Sequence, residues 1–163
     1  MINLIVINRQ DLLNYFKKKG KKMKTEILKR TLTSVNGRNG YITSKDSNLR
    51  LELTIPKEMG GTGNVSKTDP EELFAAGYSS CFSSSMQYMM QQENINGKDF
   101  YAEVTVQLLK DDVVGGYKFA ATVKASIADV DDELKKRIIE KAYAFCPYSR
   151  AIKGNVDVKI VIV

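Results

Sequence analysis

The stretch "ELFAAGYSSCFSSSMQYMM", residues 72–90, decides how the chain is read. It reads as one helix with Cys81 near its middle, and most neighbours of that cysteine are small or apolar. The preceding "TDPEELF" supplies the helix start: Thr68 or Asp69 can cap, Pro70 suits the first turn, and Glu71 and Glu72 suit the positive end of the helix. The predicted helix runs from about 70 to 93.

Strand signals surround this helix. Upstream, "TEILKRTLTSV" at 25–35 reads as a strand, the two Asn-Gly pairs of "NGRNG" at 36–40 signal a tight turn, and "YITS" returns as a hairpin. "LRLELTIP" at 49–56 alternates apolar and charged residues until Pro56 ends it. The glycine-rich "KEMGGTGNVSKT" lacks the Gly-Lys-Ser/Thr ending of a phosphate loop. Downstream, 100–109 and 117–127 form a second predicted hairpin around the turn "KDDVVGG". An amphipathic helix follows at 129–145, a break at Pro147, and a closing strand "NVDVKIVIV". Strands joined mostly by short turns, with helices between the runs, predict an α+β fold with largely antiparallel sheets.

The 163 residues suit one domain, here 23–163, preceded by a basic extension at 1–22 that reads as a disordered or loosely packed leader. The net charge of +6 is concentrated at the front. Residues 1–30 hold nine Lys or Arg against Asp11 and Glu26, which leaves 16 basic and 17 acidic residues beyond them. That distribution argues against nucleic acid as a partner of the domain. No apolar run approaches the roughly 20 residues that cross a bilayer, and the leader has its apolar and basic parts in the reverse of secretory order, so the expected location is cytoplasmic.

The chain has no histidine and two cysteines, Cys81 and Cys146. A Ser-His-Asp triad, a Cys-His dyad and a zinc site with His ligands are therefore excluded. Two cysteines 65 positions apart, without a CxxC pair, make a poor metal site and no disulfide framework. Any chemistry falls to Cys, carboxylates, Lys, Arg or Tyr. Taken alone, Cys81 is expected to be sluggish. Burial disfavours the thiolate, and the helix start is too distant for its dipole to help. Activation requires a cation, and Arg suits a buried position because it stays charged and offers a planar fork of donors. Such an Arg needs a carboxylate partner. Arg38 in the tight turn and Glu71 at the helix start stand out, although on composition alone a solvated turn residue and a favourable helix-start charge are the better explanations. Cys146, at a helix break before Pro147, reads either as a resolving thiol or as a filler cysteine.

Two longer segments, "DPEELFAAGYSSCF" at 69–82 and "CPYSRAIKGNVDV" at 146–158, resemble the signature segments of the organic hydroperoxide resistance (Ohr) proteins of the OsmC/Ohr superfamily. Residues 36–61 are similar to that family's front section, and the likeness covers roughly 25 to 163. "AAGYSSCF" stands where the OsmC branch typically carries a histidine, which points to the Ohr branch. "DPEE" and "CPYSRAIKGN" depart from the usual "NPEQ" and "CPYSNATRGN", and Arg150 and Ile152 alter the surface near Cys146.

The resemblance implies a thiol peroxidase that reduces organic and lipid hydroperoxides to alcohols. Cys81 would be the peroxidatic cysteine, Cys146 the resolving one, Arg38 the activating arginine and Glu71 the carboxylate that holds it. It also implies mostly antiparallel sheets packed around long central helices, an intertwined homodimer with active sites at the interface, and re-reduction by a dithiol such as a lipoylated protein. No metal or bound organic cofactor is expected. Phe74, Phe82 and Tyr148 are candidates to line a pocket for an alkyl tail, though core packing alone would account for them. Two other functions remain at this point: an OsmC-branch peroxidase of broader specificity, and a non-catalytic module using the cysteine pair as a redox sensor.

Overall fold

A computed structural model describes residues 25–163. The expectation of a loosely packed leader at 1–22 lies outside the described residues.

The chain opens with a small antiparallel sheet in the order β1 (Leu32–Val35), β2 (Tyr41–Ser44) and β3 (Arg50–Glu52). Leu32 pairs with Ser44 and Val35 with Tyr41, so the turn between them spans 36–40. The Asn-Gly signal acts as expected. Asn36 and Gly37 take positive φ values of 59° and 53°, and a single 3-10 turn, Gly37–Asn39, follows. At Gly40 a Cβ would sit 1.7 Å from the Val35 carbonyl oxygen, so only glycine closes this loop.

The expected strand at 25–35 is shorter than read, since Leu32 is its first paired residue. Ile27 and Leu28 are 94% and 67% exposed, and β-propensity without a neighbouring strand leaves them unpaired. The expected strand at 49–56 likewise shrinks to Arg50–Glu52. Beyond it Leu53 makes one isolated bridge to Thr68.

Helix α1 (Pro70–Gln92) starts as its sequence dictates, with the Asp69 side chain accepting the Glu72 backbone N–H at 2.8 Å. Its serine run does not break it. Ser79, Ser80, Ser84 and Ser85 each return a hydrogen bond to a carbonyl one turn earlier, which satisfies the hydroxyls inside the helix. Tyr78, Phe82, Met86 and Met90 recur every four residues and form its buried stripe.

That stripe packs on a second sheet. Strands β4 (Phe100–Lys110) and β5 (Tyr117–Ile127) pair antiparallel along their full length, from Phe100 with Ile127 to Lys110 with Tyr117. Ala121, Val123, Ala125 and Ile127 alternate inward from β5 and meet Ile138, Ile139 and Ala142 of α2 (Asp132–Phe145) and the α1 stripe in one core. A short helix, α3 (Pro147–Ile152), leads to β6 (Asp157–Ile162). The arrangement is mainly antiparallel, as expected, with one exception at the last strand, where β6 runs parallel to β5. The physical reason is the connection: α2 and α3 carry the chain back across the sheet face, and such a crossover returns a strand in the same direction.

The two sheets contribute unequally. The core belongs to the second sheet with α1 and α2, whereas no residue within β1, β2 or β3 is buried and those strands contact chiefly one another.

Candidate active site

Cys81 lies on the buried side of α1, one turn after Tyr78 and one turn before Ser85, and is half-buried. Cys146 is fully buried at the junction of α2 and α3. Its backbone, at φ −55° and ψ 121°, leaves the helical region before Pro147 as the sequence requires, while its N–H still closes α2 on the Ala142 carbonyl at 2.8 Å. This junction aims the Cys146 side chain at α1. The two sulfurs stand 3.5 Å apart as free thiols, with Cys146 donating to Cys81. A disulfide needs about 2.05 Å, so closing the bond asks for roughly 1.5 Å of approach.

Burial pushes the Cys81 thiol up from its ordinary value. The Tyr148 backbone N–H opposes this by favouring the thiolate, and contact with Cys146 adds to the rise. Among the described residues, none of the groups that move it is a cation. The raised thiol agrees in direction with what burial at this sequence position predicts.

Arg38 and Glu71 do meet. Nη1 and Nη2 of Arg38 donate to Oε2 and Oε1 of Glu71 at 2.7 and 2.6 Å, a bidentate pair that couples the tight turn to the first turn of α1. The Arg38 guanidinium holds the Glu71 carboxyl below the usual carboxylate value against a smaller opposing effect of burial. Glu71 in turn holds Arg38 charged. This pair does not reach the cysteine of its own chain. Ten residues separate Glu71 from Cys81 on one helix, about 15 Å along the axis and roughly 80° around it. The structure thus builds two pairs, Cys81 with Cys146 and Arg38 with Glu71, at separate stations on α1. The pair at the helix start remains partly open, with the two side chains 26% and 20% exposed.

The aromatic candidates divide. Phe74 is half-buried against Phe119, with ring centroids 5.1 Å apart, and lies edge-on to Tyr148 at 6.4 Å. Tyr148 is 40% exposed and stacks on Tyr78 at 6.2 Å. Its hydroxyl occupies the place where a Cβ on residue 77 would lie, 2.7 Å from it, which accounts for a glycine inside a helix. Phe82 is fully buried and packs edge-on against Tyr78 at 6.3 Å, so it stands behind the site as core. Beside Glu71 a cavity of about 570 Å³ is lined in part by Met59, Val106, Leu108 and Tyr117.

Sequence reasoning missed Ser149 and the structural part of Tyr78. The Tyr78 hydroxyl and the Ser149 Oγ are 2.9 Å apart and both are buried. The available signal was spacing: Tyr78 precedes Cys81 by three residues and Ser149 follows Cys146 by three, which puts each on its cysteine's side of a helix.

The family described as OsmC-like protein matches residues 61–161, a span holding α1 and both cysteines. Organic hydroperoxide resistance protein-like 2 of Staphylococcus epidermidis is 40% identical over 138 residues, covering 85% of this chain and 96% of that protein. The chain belongs to the OsmC/Ohr family. A second relative, organic hydroperoxide resistance protein OhrB of Bacillus subtilis, is 40% identical over 131 residues, 79% of this chain and 93% of that one. The crystal structure of an organic hydroperoxide resistance protein from Legionella pneumophila superposes with a TM-score of 0.79 at 34% identity, covering 85% and 98% of the two chains. The architecture above is thus an OsmC/Ohr fold, with mixed α and β content and mainly antiparallel sheets. No helix among the described residues is long and apolar enough to cross a membrane.

Proposed function

We propose that this protein is a cysteine-based peroxidase that reduces organic hydroperoxides to alcohols. The observation that carries the reading is the pair of free thiols 3.5 Å apart, one half-open and one buried behind it. That is the arrangement needed to oxidise one sulfur and resolve it with the other. The Ohr names of the relatives point to the same substrate class.

In the proposed cycle the Cys81 thiolate attacks the distal oxygen of the hydroperoxide. The O–O bond breaks, the alkoxide leaves and takes a proton to become the alcohol, and Cys81 becomes a sulfenic acid. The Cys146 sulfur then attacks the Cys81 sulfur, the hydroxyl leaves as water with the thiol proton, and a disulfide forms. A dithiol such as that of a lipoylated protein restores both thiols by exchange.

The cation that Cys81 lacks comes, in this reading, from a second copy. Arg38 is charged, partly open and braced by Glu71, yet too distant to serve its own cysteine. Two copies crossing near α1 would place each Arg38 against the other's Cys81, where it favours the thiolate and holds the peroxide oxygens. Ile27 and Leu28 leave exposed apolar surface beside the first sheet for such an intertwined homodimer to cover. The cavity beside Glu71, with Met59, Val106 and Leu108, would take an alkyl tail, while Phe74 and Tyr148 would line the approach to Cys81.

Mixing two inactive copies tests this. Cys81→Ser and Arg38→Ala proteins should each lack lipoyl-dependent turnover of cumene hydroperoxide. Subunit exchange between them should restore about half the wild-type rate per mixed dimer, since one of its two sites is whole. Full activity in Cys81→Ser would remove the peroxidase reading. No recovery on mixing would remove the shared site.

A further inference from the structure

The turn that carries Cys146 is fastened to α1 at more than the sulfurs. The Tyr148 ring stacks on Tyr78 with an interplanar angle of 14°, and its hydroxyl lies over Gly77. Deepest of all is the hydrogen bond between the Tyr78 hydroxyl and the Ser149 Oγ at 2.9 Å, between residues 0% and 2% exposed. It runs beside the Cys81–Cys146 contact, one helical turn away on both elements.

Stability alone does not call for this pair. Two buried hydroxyls must be stripped of water before they can bond each other, and apolar side chains of the same shape would fill the space without that cost. What a hydrogen bond adds is direction. Cys146 sits at a non-helical junction, and the helix beyond it has only six residues, so the position of its sulfur depends on how α3 is held against α1.

We propose that the Tyr78–Ser149 hydrogen bond is a positioning latch for disulfide formation. It keeps Cys146 within reach of Cys81, so that a Cys81 sulfenic acid is resolved before a second hydroperoxide oxidises it to the sulfinic acid. The oxidation step rests on the peroxidase reading above; the readiness of the two thiols to close a disulfide does not. In the resolving step the S–S bond forms as the sulfenic S–O bond breaks, and the leaving hydroxyl carries away the Cys146 proton as water. Without the latch the turn swings, and the sulfenic acid outlives its window.

The test uses Tyr78→Phe and Ser149→Ala, each deleting one partner, with Met90→Leu as a core substitution away from α3. The first readout needs no peroxide: equilibrium of the Cys81–Cys146 disulfide with a glutathione buffer. Each latch variant should weaken the disulfide about tenfold, the worth of one buried hydrogen bond, which is about 30 mV less negative in potential. Met90→Leu should stay at the wild-type potential. The second readout is the lifetime of the sulfenic acid after one equivalent of cumene hydroperoxide, trapped with dimedone. It should lengthen about tenfold in both latch variants, with more sulfinic acid and an unchanged rate of first oxidation. Wild-type potentials in both latch variants, with melting temperatures lowered as in Met90→Leu, would overturn the latch. A wild-type protein that closes its disulfide in the buffer but consumes no hydroperoxide would overturn the peroxidase reading, and the potentials would still judge the latch.

Discussion

The two stations on α1 differ in what the chain completes by itself. The cysteine station is finished within one copy: the core walls it, Cys146 is fully buried, and the sulfurs are 3.5 Å apart. The arginine station is finished as a pair but not as a site. Its guanidinium is doubly bonded, partly open to solvent, and faces no thiol of its own chain. In the proposed reading, resolution is local to one copy, whereas activation is supplied by a second. On that reading, a half-buried thiol with no cation nearby reacts slowly until a second copy supplies one.

The largest effect should come from separating the stations by mutation. Arg38→Ala removes the charge and leaves the sulfurs untouched. The rate of Cys81 oxidation by an alkyl hydroperoxide should fall about a hundredfold, the usual scale for losing one charge-stabilising donor. The disulfide potential should not move. The pH profile should change as well. Burial raises the Cys81 thiol, so without Arg38 the rate should keep climbing with pH above the ordinary thiol value of 9.0. With Arg38 present it should level off below that. A fall of less than tenfold, or a shifted potential, would mean the two stations are not independent.

How much of this was legible in the sequence follows from which forces set each part. The start of α1 was readable because capping is local: Asp69, Pro70 and the two glutamates specify it within four residues. The Asn-Gly turn and the second hairpin were readable for the same reason. The parallel direction of β6 was not, because it is decided by how α2 and α3 cross the sheet, and the strand's own residues carry no mark of it. At the site, the upward push on the Cys81 thiol was legible from its apolar neighbours, whereas the residues of Arg38 and Glu71 left their pairing open and only the family resemblance pointed to it. What the sequence could not show was distance. Arg38 and Cys81 carry complementary chemistry, yet Arg38 is braced on Glu71, which lies about 15 Å along the helix axis from Cys81. Ser149 escaped notice because a serine after a tyrosine is ordinary until the fold sets it against Tyr78.

A smaller effect should sharpen the arginine station itself. The Glu71 carboxyl is depressed in the folded protein, chiefly by its hydrogen bonds from Arg38. Its contribution is therefore fully present above the ordinary carboxylate value of 4.5 and lost as pH falls through the lower folded value. The wild-type peroxide rate and stability should both carry an acid limb below about pH 4.5. Glu71→Gln should lack that limb in stability. It should also react about five- to tenfold more slowly near neutral pH, because Arg38 keeps its charge but loses one of its two braces. An unchanged acid limb in Glu71→Gln would assign it to other carboxylates.

The smallest effect should come from Glu93, which follows α1 and accepts from Arg137 at 3.1 Å and Lys141 at 2.7 Å of α2, the helix that leads to Cys146. Lys141 and Arg137 lower its carboxyl to about 2, so its ionic contribution should persist until pH falls below the ordinary carboxylate range and fade towards pH 2. These bonds tie the far end of α1 to the cysteine half as Arg38–Glu71 ties its near end to the first sheet. They differ in exposure: the Arg137 and Lys141 side chains are each 51% open to water, where salt screens them and each pair is worth little. Glu93→Gln should therefore lower the melting temperature slightly at low salt, less so in 1 M salt, and leave the disulfide potential and the peroxide rate as they are. A change in either functional readout would mean that the cysteine station leans on this surface clasp, and that its independence is not a property of the buried core alone.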